Sequence, residues 1–232
     1  MSRGRLARKL GLSEGDFAAI KEAVARAERS TSGEIACAAT SESSDYSFFE
    51  LLSAVILALV AFGGLLVFHG AVESLVDSIA WVMKPWYLSA LYGIVIFAVI
   101  AIFFAVANVS AIDRLVIPRG VRSKAVRDRA VKCFVESGVY RTEKRTGILI
   151  FVSYMEREVR IIADSGISAL IDQKEWDSIA ASLALGIKER RSGEALVEAI
   201  DRCGGLLAAH FPPESKNPNE LPDGLVILEA GA

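Results

Sequence analysis

The chain has 232 residues, 53% of them hydrophobic, with a formal net charge of -2. That balance leaves no electrostatic footprint for nucleic acid, and the length suits one well-packed soluble domain with something added to it. Cys37, Cys133 and Cys203 are odd in number, far apart and without a Cys-x-x-Cys pair, which argues against a disulfide framework or thiolate metal site and fits buried free thiols in a reducing compartment.

Met1–Gly11 carries Arg3, Arg5, Arg8 and Lys9. It reads as a basic arm, either a solvated tail or a segment drawn to anionic lipid. The segment that follows, Gly11–Ala27, is charged and amphipathic rather than an apolar core with a cleavage site, so no signal peptide is expected. Ser13-Glu14-Gly15-Asp16 is a capping-box variant, and Phe17, Ile20, Val24 and Ala27 follow at helical spacing. A turn-rich group, Arg29-Ser30-Thr31-Ser32-Gly33, leads into the short apolar run Glu34–Ala39, which predicts a buried strand.

Residues 49–112 differ in kind from what flanks them. Leu51–Phe68 has no charged residue across 18 positions and Pro85–Ile112 none across 28. A helix rises about 1.5 Å per residue, so both can cross a hydrocarbon core of about 30 Å. Between them Val72, Leu75, Val76, Ile79 and Met83 recur at three- and four-residue steps, which predicts an amphipathic interfacial helix. Trp81, Trp86 and Tyr87 suit either an aromatic belt or packing against the partner span. The connecting loop holds one cation, Lys84, whereas Arg114, Arg119, Arg122, Lys124, Arg127, Arg129 and Lys132 follow the second span. The positive-inside rule then puts both flanking pieces, 1–48 and 113–232, in the cytoplasm, with a two-span hairpin in the inner membrane. The lipid bilayer is the first expected partner. Without an intramembrane charge, two spans offer no ion path.

Beyond the hairpin, Arg119–Ser137 predicts a helix with Val121, Ala125, Val131, Phe134 and Val135 inward and Gly138 stopping it. Thr146–Ser153 is a continuously apolar central strand, and Glu158–Ala163 alternates as the second arm of a hairpin nearer an edge. Asp164-Ser165-Gly166 reads as a turn. Asp172 caps a helix with Trp176, Ile179 and Leu183 inward, and Ser192 starts a last helix with Leu196, Ile200, Leu206 and Leu207 as its stripe. Gly224–Leu228 reads as a docked strand. Strands with helices on both faces give a three-layer α/β/α sandwich interrupted by the hairpin.

Three stretches carry a family likeness. Glu28-Arg29-Ser30-Thr31-Ser32-Gly33-Glu34-Ile35 follows a Glu-x-x-Thr-x-x-Glu-Ile pattern; Thr142–Ile150 with Val159–Gly166 forms a hairpin and acidic turn; Trp176 and the closing helices complete the order. Together they resemble the TPM domain family, and the membrane insert with the ending Asn219-Glu220-Leu221-Pro222-Asp223 resembles its bacterial integral-membrane subgroup. The resemblance implies an α/β sandwich. Members of the family are associated with phosphatase activity, with calcium binding, or with assembly and repair of membrane complexes.

If Glu34–Ala39 and Gly147–Ser153 run parallel, both Thr-Gly strand starts lie at one sheet end, where the antiparallel third strand finishes. Glu28, Thr31, Glu34, Arg145, Thr146 and Asp164 should then converge. Three readings follow. The first is a structural knot, with Arg145 pairing Glu28 or Asp164 and the threonines satisfying turn amides. The second is an acidic cleft with Asp164 and Asp172 as hard oxygen ligands for Ca²⁺ or Mg²⁺. The third is phosphate held by Arg145 and turn amides. His69 and His210 lie far from any nucleophile pattern, and there is no GxxxxGK[ST] loop or GxGxxG after a strand. Two functions are in view. One is a membrane-anchored domain that binds or organises a membrane or cytoplasmic protein; the other is a divalent-metal-dependent phosphatase at the Asp164 end.

Overall fold

Glu34–Thr40 (β1) and Gly147–Ser153 (β2) are apolar and buried on both faces, and they pair in parallel from Glu34 opposite Gly147 to Thr40 opposite Ser153. The computed structural model describes residues 3–79, 84, 86–107, 113–114, 116–142, 144–213, 221 and 223–231. Glu158–Ala163 (β3) turns back antiparallel on β2, and Leu225–Ile227 (β4) adds in parallel to β1, giving the order β3-β2-β1-β4. The expected edge position of β3 and the docked C-terminal strand are both present.

Helices cover both faces, as expected of the three-layer α/β/α sandwich. On one face Ile35, Cys37, Ile148 and Ile150 meet side chains from Arg3–Leu10 (α1), Glu14–Glu28 (α2), Gln173–Lys188 and Ser192–His210. On the other, Ala38, Leu149 and Phe151 meet Val126, Ala130, Cys133 and Phe134 of Arg119–Glu136. In chain order the remaining helices are Ser47–Val67 (α3), His69–Ile79 (α4), Trp86–Ala107 (α5), Arg119–Glu136 (α6), Ser165–Ser168 (α7), Gln173–Lys188 (α8) and Ser192–His210 (α9).

Three expectations are corrected. The basic arm is not a tail but α1, because Leu6 and Leu10, one turn apart, are 2% and 4% exposed within the core while Arg5, Arg8 and Lys9 face out. The inner stripe of α6 is rotated: Val131 and Val135 are 46% and 51% exposed, and Val126, Arg129, Ala130 and Cys133 point in. Those four recur at three- and four-residue steps, and the buried Arg129 guanidinium extends toward the Glu229 carbonyl beyond β4 at 3.5 Å. Finally, Asp164-Ser165-Gly166 is not a bare turn but opens α7, with Asp164 as its N-cap.

The capping box is formed: Ser13 Oγ accepts from Asp16 N–H at 3.2 Å while Asp16 accepts from Ser13 N–H at 2.7 Å. Ser13 Oγ donating to Asp16 Oδ2 at 2.7 Å, together with the Ser13 N–H bond, holds the Asp16 carboxyl below its ordinary range. Asp172 caps α8, accepting from Lys174 N–H at 3.0 Å. All three cysteines are free and buried, and burial pushes each thiol up.

The chain divides into two compact units, 1–45 with 120–232, and 46–119. In the second unit α3 and α5 pack together, and α3 buries Ala54 and Ala58, small residues one turn apart. Tyr92 Oη donates to the Leu65 carbonyl at 3.2 Å and lies 2.9 Å from His69 Nδ1. With the Tyr92 proton spent on Leu65, Nδ1 is the donor of the second bond. Ser47–Val67 and Trp86–Ala105 are long and apolar enough to cross a membrane, and their large side chains stay exposed. The expected amphipathic helix is α4; Trp81 and Met83 fall outside the described residues.

Candidate functional site at the strand starts

Local chemistry at the starts of β1 and β2 is dominated by two threonines. Thr31 Oγ1 donates to the Phe211 carbonyl at 2.6 Å and accepts from Gly33 N–H at 3.1 Å. Thr146 Oγ1 donates to the Ser32 carbonyl at 3.1 Å, and Thr146 N–H donates to Thr142 Oγ1 at 3.0 Å. Glu34 N–H reaches the Thr146 carbonyl at 3.2 Å, which stitches the two strand starts together. The approach is close enough to require glycine. A Cβ on Gly33 would sit 3.0 Å from the Thr146 carbonyl, and one on Gly147 would strike the Val139 carbonyl.

Glu28 ends α2 beside this junction, buried, with Oε1 accepting from Ile35 N–H at 3.0 Å. Burial pushes its carboxyl up to about 8; the Ile35 bond opposes that shift, and the charges of Glu34 and Asp223 add to it. Asp164 finishes β3 at the same end. Its N–H donates to the Gly147 carbonyl at 3.0 Å, and its Oδ1 accepts from Ser165 N–H at 2.5 Å and Ser165 Oγ at 3.0 Å. The buried Oδ2 has no hydrogen-bond partner. Arg145 stands in the left-handed region at φ 55, and a Cβ on Gly166 would come within 2.6 Å of its carbonyl.

Hydrogen bonds therefore tie Glu28, Thr31, Glu34, Thr146 and Asp164 into the β1–β2 junction, and the Arg145 carbonyl closes over α7. The Arg145 side chain is exposed and pairs with neither Glu28 nor Asp164, so that part of the knot expectation is corrected; of the threonines, Thr31 Oγ1 accepts from the Gly33 turn amide as expected, whereas Thr146 Oγ1 meets the Ser32 carbonyl instead of an amide. Asp172 is exposed, and its Oδ1 is engaged in capping α8. Among the described residues no three His, Cys, Asp or Glu side chains group to hold a metal ion. A resident Ca²⁺ takes six to eight oxygens, so the described donor set does not fit one.

Three participants escaped sequence reasoning. Thr142 has a weak signal in its four-residue spacing to Thr146, whereas Phe211 acts through its carbonyl and Asp223 through its charge, neither of which a motif marks. At the opposite end of the strands a second knot forms. Glu156 accepts from Ser43 N–H at 2.8 Å and from Ser153 Oγ at 2.5 Å, with the two serine hydroxyls 2.7 Å apart.

The family model of the TPM domain matches residues 109–206, a stretch that begins after the second apolar helix and ends within α9. A solved relative, the BA42 protein from the psychrophilic bacterium Bizionia argentinensis (NMR structure), is similar with a TM-score of 0.54. It is 18% identical over 94% of this chain and 95% of its own. That likeness concerns the fold. No curated protein matches.

Proposed function

We propose that this chain is a membrane-anchored protein of the TPM-domain family whose model matches residues 109–206. Its sandwich stands at the cytoplasmic face of a bacterial inner membrane and binds or organises a protein partner there. The observation that carries this reading is the pair of apolar helices, α3 and α5, interposed in the chain between β1 and β2 of a single sheet. Ile94, Phe97 and Val60 on those helices are at least two-thirds exposed, at 67%, 74% and 67%. Water does not tolerate such a surface, whereas lipid does. An even number of spans would return both pieces of the sheet to one compartment, and the cation bias across the second span supports a cytoplasmic one.

A partner-binding role is favoured over catalysis because the strand-start residues are engaged with one another. The threonine hydroxyls meet carbonyls, Glu28 meets the β1 backbone, and the Asp172 oxygen caps α8. Two measurements test the reading. Reporter fusions after Ala232 and within residues 72–84 should fall on opposite sides of the membrane; the same side for both removes the split-domain anchor. Affinity isolation in mild detergent should recover a reproducible partner, whereas metal-dependent turnover of a phosphomonoester, lost in Asp164→Asn with the fold intact, would move the protein to the phosphatase class.

A further inference from the structure

Positive charge collects at the finishing end of β1 and β2. Those strands end together, Thr40 opposite Ser153. Lys9, in the last turn of α1, stands over the Tyr154 ring that follows β2, with its Nζ 5.5 Å from the ring centre. Arg157 occupies the tip between β2 and β3, exposed, at φ 55. Ser123, near the start of α6, donates to Glu158 Oε1 at the base of β3 at 3.0 Å, which brings its neighbours Arg122 and Lys124 to the same end. Three elements distant in sequence thus deliver cations to one surface.

Two of the acids there are engaged within the protein. Glu156 is buried in the serine knot, and Glu158 is paired with Arg160 at 2.6 Å. Glu42 and Asp45 lie on the segment that leaves β1. Arg122 keeps a buried Nε without a hydrogen-bond partner.

Both chain crossings to the apolar helices occur at this cationic end. β1 stops at Thr40, α3 starts at Ser47, and the chain returns through α6. The intervening Ser41–Tyr46 reaches about 20 Å at full extension. We infer that the finishing end of the sandwich docks on the anionic headgroup surface of the bilayer that holds the hairpin, with Arg8, Lys9, Arg122, Lys124 and Arg157 against lipid phosphates. The inference rests on the anchor proposed above and adds the face, the lipid class and the residues. Charge complementarity selects the occupant: clustered juxtamembrane cations meet a negative leaflet, each contributing roughly a fivefold factor in occupancy.

The test uses the full chain in nanodiscs, of phosphatidylcholine alone or mixed with phosphatidylglycerol, and reads amide hydrogen exchange at α1 and at the Tyr154–Arg157 turn. Exchange there should slow about fivefold or more in the anionic discs. High salt, or the exposed double variant Lys9→Glu with Arg157→Glu, should restore the faster rate, while Gly138 and the strand starts stay unchanged. Lys124→Glu provides a second probe that leaves α1 and the turn intact. Equal exchange in both lipids overturns the inference, as does slowing in phosphatidylcholine alone or slowing that survives charge reversal. Alkaline carbonate extraction separates the two failures. A chain that stays in the pellet without lipid-charge dependence loses only the docked face; a chain that washes off loses the anchor as well.

Discussion

The two ends of the β1–β2 pair are closed by different chemistry. At the start end the backbones come together through neutral groups, with threonine hydroxyls on carbonyls and glycines where a methyl would collide. At the finishing end a buried carboxylate, Glu156, gathers a backbone amide and a serine hydroxyl, and cations ring the outside. One end depends on closeness, the other on charge. A substitution that adds bulk should therefore hurt the first end, and one that removes a charge should hurt the second.

The largest expected effect comes from adding one methyl at the start end. Gly147→Ala drives a Cβ into the Val139 carbonyl, a backbone atom that cannot swing away. Forced overpacking of this kind costs about 3 kcal/mol, measurable as a lowered midpoint in denaturant unfolding. A midpoint unchanged from the parent would show that Val139 and Arg141, which follow α6 as a single 3-10 turn, yield at no cost.

At the finishing end the second-largest loss is expected from Glu156→Ala. Both carboxylate oxygens are used, so truncation strands the Ser43 amide in a buried site and leaves the Ser153 hydroxyl only its Ser43 neighbour. Leaving such groups unsatisfied costs about 2 kcal/mol. Glu156→Gln, which keeps an acceptor, should recover part of it. Equal losses for the two variants would assign the effect to shape rather than to charge.

These contrasts also explain what could be read in advance. The parallel pairing followed from two apolar runs with Thr-Gly starts, and the helix starts at Ser13 and Asp172 followed from side chains that bond within three residues of themselves. Signals of that range survive in sequence. The Glu156 knot does not, because Ser43 and Ser153 meet only after the chain has passed through the hairpin. α1 was obscured for another reason: cations crowd a short segment, and burial of Leu6 and Leu10 depends on a groove built by α2, α9 and the sheet. In α6 the valines look like core, yet Arg129 takes the inward place because the Glu229 carbonyl lies within its reach. At the candidate site the Thr31 turn was legible, while the closing carbonyl of Phe211 lies 180 residues further along the chain.

The third prediction concerns pH and separates the ends again. Glu28 is held protonated by burial, with its carboxyl raised from 4.5 to about 8. A folded value above the unfolded one means the folded state keeps a proton that the unfolded chain has released. That contribution is full in acid below 4.5 and is lost as pH climbs through about 8. Thermal melts should therefore decline across this window. Glu28→Gln, which cannot ionise, should match the parent on the acid side and exceed it on the alkaline side. Parallel pH profiles for the two proteins would mean that Glu28 ionises freely and that the start end is wetter than its packing implies.

The smallest expected effect is at Asp164, and it is the one that decides between a closed end and a ligand site. Oδ1 caps α7 through Ser165, and an asparagine oxygen accepts the same two bonds. Oδ2 is buried without a hydrogen-bond partner, so its charge gains little from the surrounding protein. Asp164→Asn should then change stability by about 0.5 kcal/mol or less, with no difference between chelator and excess Ca²⁺ or Mg²⁺. A divalent ion that bound only the folded chain would break that equality, since binding raises the melting temperature by mass action. A cation-induced rise present in the parent and absent in Asp164→Asn would make Oδ2 a ligand waiting for its ion rather than an oxygen left over from the cap. The start end would then join the finishing end as a place where charge, not closeness, sets the geometry.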